Sequence, residues 1–257
     1  MPQSAASVAA SGGGDDDQAV VAARGIRKVF PGVVAVDGVD LAVRRGEILA
    51  LVGQNGAGKS TLIQILAGVH AAGGYDGTIE LSGRPYLPRS VAEAERAGIA
   101  MVPQEVNVCP DLTVAQNMYL GAEPSRFGLV DRDLRDAEAA GTLARFGVDA
   151  EPQAEMGALD LATQPRVLLA RALAKEVRVL ILDEPTTALT RQEVEPLFDR
   201  LRRLKARGTA SIFVSHRLAE VFAIADRIAV MRDGRMLSVR AVSETSRDRA
   251  VEEMIGR

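Results

Sequence analysis

Hydrophobic residues occur along this chain in short runs that alternate with segments of helical periodicity. AVVAARGIRKVF and VDGVDLAVRRGEILALVG contain such runs between glycine and aspartate turns, as strands do. GKSTLIQILAGV has the spacing of a helix, and TIELSG and GIAMVP indicate further strands. Strands return in VRVLILDE, ASIFVSH and RIAVMRDGRMLSV, the last with an Asp-Gly hairpin turn. This alternation predicts an α/β fold with a parallel sheet.

Helical periodicity dominates two regions that lie between the predicted strands. From about residue 111 to residue 158, LTVAQNMYL and RDLRDAEAAGTLARFGV carry no strand pattern, which predicts a helical insertion of roughly fifty residues. The second region opens with Thr190-Arg-Gln-Glu193, a capping-box pattern that predicts a helix start. The apolar stripe of that helix is interpreted as core packing and consists of Val194, Leu197, Phe198, Leu201 and Leu204.

Composition narrows the possible functions. The chain has 257 residues, 47% hydrophobic and 25% charged, which fits a globular protein of one or two domains. Its net charge of -3 argues against electrostatic binding to nucleic acid. Cys109 is the single cysteine, which suits a reducing compartment. Residues 1–20 are small, polar and glycine-rich, and we predict a disordered tail. No run of about 18 apolar residues occurs, so a peripheral membrane role is the expectation.

The segment GQNGAGKST follows an apolar strand and opens a helix, which is the context of a phosphate-binding loop. Its glycines leave room for backbone N–H groups to turn towards phosphates, and the helix N-terminus adds partial positive charge. Lys59 is expected to reach the β- and γ-phosphates, and Ser60 to ligate Mg²⁺. The alternative is a glycine-rich strand–helix turn without a ligand. The residues predicted to bind the nucleotide here are Gly53, Gln54, Asn55, Gly56, Ala57, Gly58, Lys59, Ser60 and Thr61.

A carboxylate pair, Asp183 and Glu184, ends the apolar run that begins at Val179. Ligands of open α/β sheets bind at the carboxyl ends of the strands. With a phosphate loop upstream, we interpret Asp183 as a residue that holds Mg²⁺ and Glu184 as one that polarises the attacking water. Alone, such a pair is more often the start of a solvated loop. A kinase-like phosphoryl transferase would need an acceptor-binding lid, which the sequence does not identify.

Two single polar residues follow predicted strands. Gln104 comes after GIAMVP, and His216 ends SIFVSH. Taken alone, they are interpreted as a surface amide and a strand-end histidine. His70, just past the first helix, has no such context and receives no role.

The order and spacing of these segments resemble those of the nucleotide-binding subunits of ABC transporters over nearly all of residues 21–257. The matching segments are GQNGAGKST (Walker A), the Gln104 loop, VLILDEP (Walker B), TALT at 187–190 (D-loop) and Ser215-His216 (switch histidine). The resemblance implies catalytic roles for Glu184, Gln104 and His216, and metal contacts for Ser60, Gln104 and Asp183. It also implies that Phe30, otherwise a core residue, stacks on adenine.

FPGVVAVDGVDL, GIAMVPQEVNVCPDLTVAQNMYLG and SHRLAEVFAIADRIAVMRDGR resemble the monosaccharide-import branch of that family. The expected fold is therefore a P-loop NTPase: a RecA-like parallel sheet, N-terminal antiparallel strands and an inserted helical subdomain. We expect one nucleotide-binding domain over 21–257. Its helical subdomain is expected at about 111–158, with a signature region to about 175.

One segment departs from the family pattern. LDLAT occupies the position of the family signature Leu-Ser-Gly-Gly-Gln, so that Asp160 replaces serine and Leu161 and Ala162 replace glycines. In the family, the signature of one domain closes over the γ-phosphate held by another. Asp160 suits a helix N-cap, but its repulsion of a phosphate exceeds what a helix end returns to an anion. A register shifted to use Gln164 is the alternative.

The resemblance implies ATP hydrolysis with Mg²⁺ that drives import of a sugar or related solute. The expected partners are a membrane permease, a second ATP-binding domain (by preference one with an intact signature) and, indirectly, a solute-binding protein, with no nucleic acid. The expected location is the cytoplasmic face of the inner membrane. Two alternatives stay open: a non-transport ABC ATPase, and a nucleotide-binding half with little turnover of its own.

Overall fold

The computed structural model describes residues 19–104, 108–175, 177–187 and 189–256, so residues 1–18 of the predicted tail lie outside it. Its strands are β1 (Ala19–Phe30), β2 (Val33–Arg44), β3 (Ile48–Val52), β4 (Asp76–Leu81), β5 (Arg84–Pro85), β6 (Ile99–Val102), β7 (Ser125–Arg126), β8 (Leu129–Val130), β9 (Val179–Asp183), β10 (Ala210–Val214), β11 (Arg227–Arg232) and β12 (Arg235–Ala241). Its α-helices are α1 (Lys59–Leu66), α2 (Val91–Arg96), α3 (Val114–Tyr119), α4 (Arg132–Phe146), α5 (Thr163–Ala174), α6 (Arg191–Ala206), α7 (Leu218–Ile224) and α8 (Arg247–Ile255). Within these ranges, no helix has the length and apolar character needed to span a bilayer.

The central element is a six-stranded sheet in the order β12-β11-β3-β10-β9-β6. All neighbours pair in parallel except β11 and β12, which confirms the predicted parallel sheet. Every residue of β3, β9 and β10 is buried, as expected for parallel strands covered on both faces. In the register, Val214 lies opposite both Leu51 and Asp183. The carboxyl ends of these three strands therefore coincide at one edge.

A second, four-stranded sheet has the order β2-β1-β4-β5 and is antiparallel, as predicted for the N-terminal strands. The predicted hairpin β11–β12 is also present. Its turn residues Asp233 and Gly234 have φ values of 50° and 77°, the left-handed conformation that a two-residue hairpin turn requires. The Gly234 N–H donates to the carbonyl oxygen of Ala57 at 3.2 Å, so this hairpin tip contacts the loop between β3 and α1.

Helix α6 confirms the second helical prediction. The capping box at Thr190 is present, with the Glu193 carboxylate accepting from the Thr190 N–H and hydroxyl at 2.9 Å each. Leu197, Phe198 and Leu201 of its apolar stripe are buried beneath the central sheet, and Val194 and Leu204 pack at the margin of the same cluster. The stripe is therefore core packing, as interpreted.

The helical insertion has a small core of its own. α3, α4 and α5 contribute Val114, Met118, Leu143 and Val167 to a cluster that also contains Met156. Between the two segments that carry no strand pattern, β7 and β8 form a two-stranded hairpin that the sequence does not predict. Each strand is two residues long, which is too short to produce an alternating pattern in the sequence. The tight turn at Phe127 and Gly128, with φ values of 53° and 82°, creates the hairpin.

We expect Leu201→Ala to lower the free energy of unfolding by about 2–5 kcal/mol, because Leu201 is 0% exposed and its truncation leaves a cavity in the core. Urea unfolding followed by circular dichroism measures this loss. Leu161→Ala is the matched control, since Leu161 is 86% exposed and its truncation should change stability by less than about 0.5 kcal/mol. Equal losses in the two variants would contradict this account of the core.

Candidate functional site

The loop between β3 and α1 is folded around the ammonium group of Lys59. Lys59 is the first residue of α1, is 7% exposed, and donates to the carbonyl oxygens of Gly53 at 2.8 Å and Gln54 at 3.0 Å. Burial lowers the pKa of Lys59, while the Glu184 and Asp183 carboxylates act in the opposite direction. The loop therefore fixes the position of one partly desolvated cation.

Glycine is required where this loop enters α1. Gly58 has a φ of 93°, and a Cβ atom built on it would lie 2.3 Å from the carbonyl oxygen of Ala35 in β2. Any larger residue would strain the backbone and displace β2. Among the described residues no side chain caps the first turn of α1, and the turn holds no acidic residue. The N–H groups of that helix end are thus available to an anion.

Asp183 and Glu184 stand at the carboxyl end of β9, on the Lys59 side of the sheet edge. Asp183 is 5% exposed, and burial raises its pKa to about 6; the neighbouring Glu184 carboxylate adds to the rise and Lys59 opposes it. Glu184 has a φ of 49°, in the left-handed region that non-glycine residues rarely adopt. Its N–H donates to the Val214 carbonyl oxygen at 3.0 Å, which ties this strained residue to β10.

His216 contacts Glu184 directly. Its Nδ1 atom lies 3.0 Å from Oε1 of Glu184, and the imidazole remains half exposed. The Thr187 hydroxyl donates to the other Glu184 oxygen at 3.4 Å. Two neighbours therefore orient this carboxylate.

These groups line a cavity of about 870 Å³. Of the predicted residues it brings together Phe30, Asn55, Gly56, Gly58, Lys59, Ser60, Thr61, Gln104, Asp183, Glu184 and His216. Gly53, Gln54 and Ala57 do not line it; the first two supply carbonyl oxygens to Lys59, and the Ala57 N–H donates to Gln54 at 3.1 Å. Ala188, part of the predicted D-loop, lies outside the described residues.

Sequence reasoning missed Val33, Ala35 and Thr187 as lining residues. Val33 and Ala35 belong to β2, and their sequence gives no signal because the contact depends on how the two sheets meet. Thr187 belongs to the predicted D-loop, and that pattern alone does not predict that it lines the cavity.

Phe30 lines the cavity, and its ring contacts two neighbouring side chains. Its ring meets the His70 ring edge-on, with centroids 5.5 Å apart, and the Lys28 ammonium lies 5.1 Å from its centroid. Burial, followed by the nearby Lys28 charge, lowers the pKa of His70, which favours the neutral imidazole. His70, which received no role from the sequence, therefore supports the ring predicted to stack on adenine.

The donor chemistry around Lys59 fits Mg²⁺. Ser60, Gln104 and Asp183 offer a hydroxyl, an amide and a carboxylate oxygen to the same cavity, and hard oxygen ligands are those that Mg²⁺ prefers. Within the described residues, no group of three His, Cys, Asp or Glu side chains is arranged to hold a metal. A site with one carboxylate instead leaves coordination positions for phosphate oxygens and water.

The LDLAT segment forms a turn that precedes α5. The Asp160 carboxylate accepts from the N–H groups of Ala162 at 2.9 Å and Thr163 at 2.8 Å, and from the Thr163 hydroxyl at 2.9 Å. These bonds hold the pKa of Asp160 below its usual value. The predicted capping by Asp160 is thus present, one turn before α5 begins. The Gln164 amide nitrogen donates to the Leu159 carbonyl oxygen at 3.0 Å, so this side chain is engaged with its own loop.

Comparisons with known proteins agree with this arrangement. The profile of a family described as "ABC transporter" matches residues 36–187. The chain is 48% identical over 234 residues to "Ribose import ATP-binding protein RbsA 1" of Rubrobacter xylanophilus, covering 91% of this chain and 46% of that protein. It is 47% identical to "Xylose import ATP-binding protein XylG" of Moorella thermoacetica, covering 90% and 46%. The chain thus spans about half the length of these curated relatives.

Solved structures share the fold at low sequence identity. The ADP conformation of MJ1267, an ATP-binding cassette of an ABC transporter, superposes with a TM-score of 0.76 at 24% identity, covering 93% of this chain and 99% of that one. A dimeric, post-hydrolysis state of the cassette MJ0796 bound to ADP and Pi gives 0.75 at 22% identity, covering 86% and 98%. The fold is therefore that of the P-loop NTPase cassettes, as predicted. With the profile matching more than half of its length, this chain belongs to the ABC transporter family.

Proposed function

We propose that this chain binds ATP with Mg²⁺ and hydrolyses it to energise import of a sugar or related small solute through a membrane permease. The observation that carries the proposal is the convergence of Lys59, Asp183, Glu184 and His216 in one cavity at the ends of adjacent parallel strands. The chain's similarity to proteins named as ribose and xylose import ATP-binding proteins supports the solute class.

In this proposal the loop from Gly53 to Thr61 binds the phosphates of ATP. Backbone N–H groups at the start of α1 face the phosphate oxygens, and Lys59 supplies the full positive charge. Phe30 stacks on the adenine at the other end of the cavity, where His70 and Lys28 hold its ring. The 870 Å³ volume suits a ligand of this size.

Ser60, Gln104 and Asp183 are the proposed metal contacts, and the ion supplies charge neutralisation for the phosphate oxygens. The burial of Asp183 supports this assignment. A carboxyl group with a pKa of about 6 is ionised at neutral pH, but its burial makes that charge costly until a cation approaches. The site is therefore prepared for a cation in addition to Lys59.

Glu184 is the proposed general base. Its carboxylate accepts a proton from the attacking water as the water oxygen bonds to the γ-phosphorus. The bond from that phosphorus to the β,γ-bridging oxygen breaks in the same step, so that ADP and inorganic phosphate are the products and the proton passes from Glu184 to solvent. His216 and Thr187 fix the direction of the carboxylate through their contacts at 3.0 and 3.4 Å. The left-handed backbone conformation of Glu184 sets the direction in which its side chain leaves the main chain. Gln104, at the end of β6, is proposed to sense the bound nucleotide.

A second ATP-binding domain with an intact signature is the proposed partner. The donors at the start of α5 that would face a partner's phosphate are occupied by the Asp160 carboxylate. A pair of identical chains would place an aspartate at both phosphate sites. This observation also favours a second candidate function, a nucleotide-binding half with little turnover unless such a partner is present. The helical subdomain is proposed to dock on the permease at the cytoplasmic face of the membrane, with a solute-binding protein involved indirectly.

Lys59→Ala should weaken ATP binding by on the order of 100-fold or more, because it removes the cation that faces the phosphates. Isothermal titration calorimetry measures the affinity, and thermal unfolding verifies that the variant is folded. Lys175→Ala removes one positive charge from an ion pair with Glu95 outside the cavity and should leave the affinity unchanged. An unaltered affinity in Lys59→Ala would mean that the loop does not bind phosphate.

Glu184→Gln should retain ATP binding and lose hydrolysis by about 10²–10⁴-fold, since the amide keeps the shape but cannot accept the proton. Phosphate release under steady-state and single-turnover conditions, with the preferred partner present, reports this loss. Glu244→Gln is the matched control, because Glu244 is exposed and does not line the cavity. Hydrolysis at the parent rate in Glu184→Gln would assign the base to another residue.

Replacing the aspartate signature should strengthen pairing. In the presence of ATP, we expect two copies of the variant Asp160→Ser, Leu161→Gly, Ala162→Gly to bind each other more tightly than two copies of the parent. The reason is that the repelling carboxylate is gone while serine still caps the helix. Analytical ultracentrifugation in a Glu184→Gln background measures association, and turnover is measured with Glu184 intact.

Asp131→Ser is the control for this experiment. Asp131 caps α4 through the Leu134 N–H at 3.1 Å, so the substitution changes a capping aspartate outside the signature. It should leave ATP-dependent association unchanged. If the signature variant and the parent associate and turn over alike, Asp160 does not face a phosphate, and another pairing surface or the register through Gln164 is the better explanation.

A further inference from the structure

A second cavity, of about 480 Å³, lies where the C-terminal end of α4 meets α5 and α6. Its volume is in the range typical of small-molecule sites. Among the described residues it shares no lining residue with the nucleotide cavity. Its walls combine apolar side chains, among them Phe146, Leu169, Leu173 and Leu197, with a group of arginines.

The residues that line this second cavity carry more positive than negative charge. Four arginines line it, Arg145, Arg166, Arg200 and Arg203, together with two carboxylates, Glu193 and Asp199. Arg166 pairs with Glu193 at 3.2 Å, and Asp199 pairs with Arg202 at 2.9 Å. Over the described ranges, no ion pair joins Arg145, Arg200 or Arg203 to a carboxylate. Four arginines against two carboxylates leave the lining of this cavity with a net charge of +2.

Arg200 is the most constrained member of this group. Its Nε atom is buried and has no hydrogen-bond partner among the described atoms. Its guanidinium lies 4.6 Å from the centroid of the Phe146 ring, within the distance of a cation–π contact. Burial lowers the pKa of Arg200, and the charges of Arg145, Arg207 and Arg203 lower it further. A buried donor without a partner and a repelled cation are both costly, and one anion would relieve both costs.

The combination of an arginine group with an apolar wall selects the ligand. A single carboxylate would neutralise only half of the net positive charge of the lining, whereas a phosphate monoester carries nearly two negative charges and several acceptor oxygens. The apolar wall provides room for a ring or an alkyl group on the ester. We propose that this cavity binds a small phosphate monoester, with Arg200 and Arg203 on the phosphate and the organic group against Phe146 and Leu173.

Phenyl phosphate is the probe, used on the full chain with saturating ADP so that the loop at Lys59 is already filled. Calorimetry measures its affinity, and proton–nitrogen NMR follows the Nε–H signal of Arg200, assigned by its loss in Arg200→Gln. We expect that signal to shift and to exchange more slowly with solvent when the probe binds. Arg200→Gln and Arg203→Gln should each weaken the affinity by about tenfold.

Arg249→Gln is the control, because Arg249 is an exposed arginine that pairs with Glu253 on α8 and does not line this cavity. It should leave the affinity for phenyl phosphate unchanged. Benzyl alcohol and inorganic phosphate should each bind at least about tenfold more weakly than phenyl phosphate, since each lacks one half of the ligand. Arg203→Gln alters an exposed side chain and so provides a folded variant if Arg200→Gln does not fold.

Three results would overturn the proposal. The first is an equal affinity in the parent, Arg200→Gln and Arg203→Gln. The second is inorganic phosphate binding as tightly as phenyl phosphate, which would show that the apolar wall does not contribute to binding the ligand. The third is displacement of ADP by the probe, which would place phenyl phosphate in the nucleotide cavity. The first two results do not bear on the proposed ATP site, because Arg200 and Arg203 do not line the nucleotide cavity.

Discussion

The buried ammonium group of Lys59 is the interaction on which the rest of the site depends. A desolvated cation is stable only where acceptors surround it, and here the Gly53 and Gln54 carbonyl oxygens do so at 2.8 and 3.0 Å. Those two contacts curl the loop, and the curled loop in turn requires glycine at position 58, where β2 approaches. Asp183 and Glu184, at the end of β9, stabilise the charged form of Lys59 with their negative charges. One cation therefore determines the loop conformation and couples it to the carboxylates.

The parallel register supplies the second constraint. β3, β10 and β9 are neighbours, and Val214 at the end of β10 lies opposite Leu51 and Asp183. The loop, His216 and the two carboxylates therefore meet at one edge. A shift of one residue in β9 would turn Asp183 to the other face of the sheet. The complete burial of these strands opposes such a shift, because it would have to be accommodated in a packed core. The same apolar residues that stabilise the sheet thus set the distances in the site.

Sequence analysis succeeded where the information is local. The phosphate-loop pattern, the capping box at Thr190 and the Asp-Gly hairpin each lie within a few residues, and the structure contains all three. It failed where contacts join distant segments. The hairpin β7–β8 is too short for periodicity, and the packing of His70 against Phe30 joins residues on different elements. The arginine cavity is assembled from α4, α5 and α6, whose residues look like ordinary solvated charges in the sequence.

Asp160 explains how a family motif changes without loss of the fold. The start of α5 needs an acceptor for its first N–H groups, whether or not a partner's nucleotide is present. A serine at this position provides a weak acceptor and leaves donors for a phosphate. An aspartate satisfies two N–H groups and a hydroxyl by itself, so the helix start is self-sufficient. In the proposed pairing, the residue that stabilises this turn is also the one that repels a partner's phosphate, so local stability and intermolecular function would select opposite chemistries at one position.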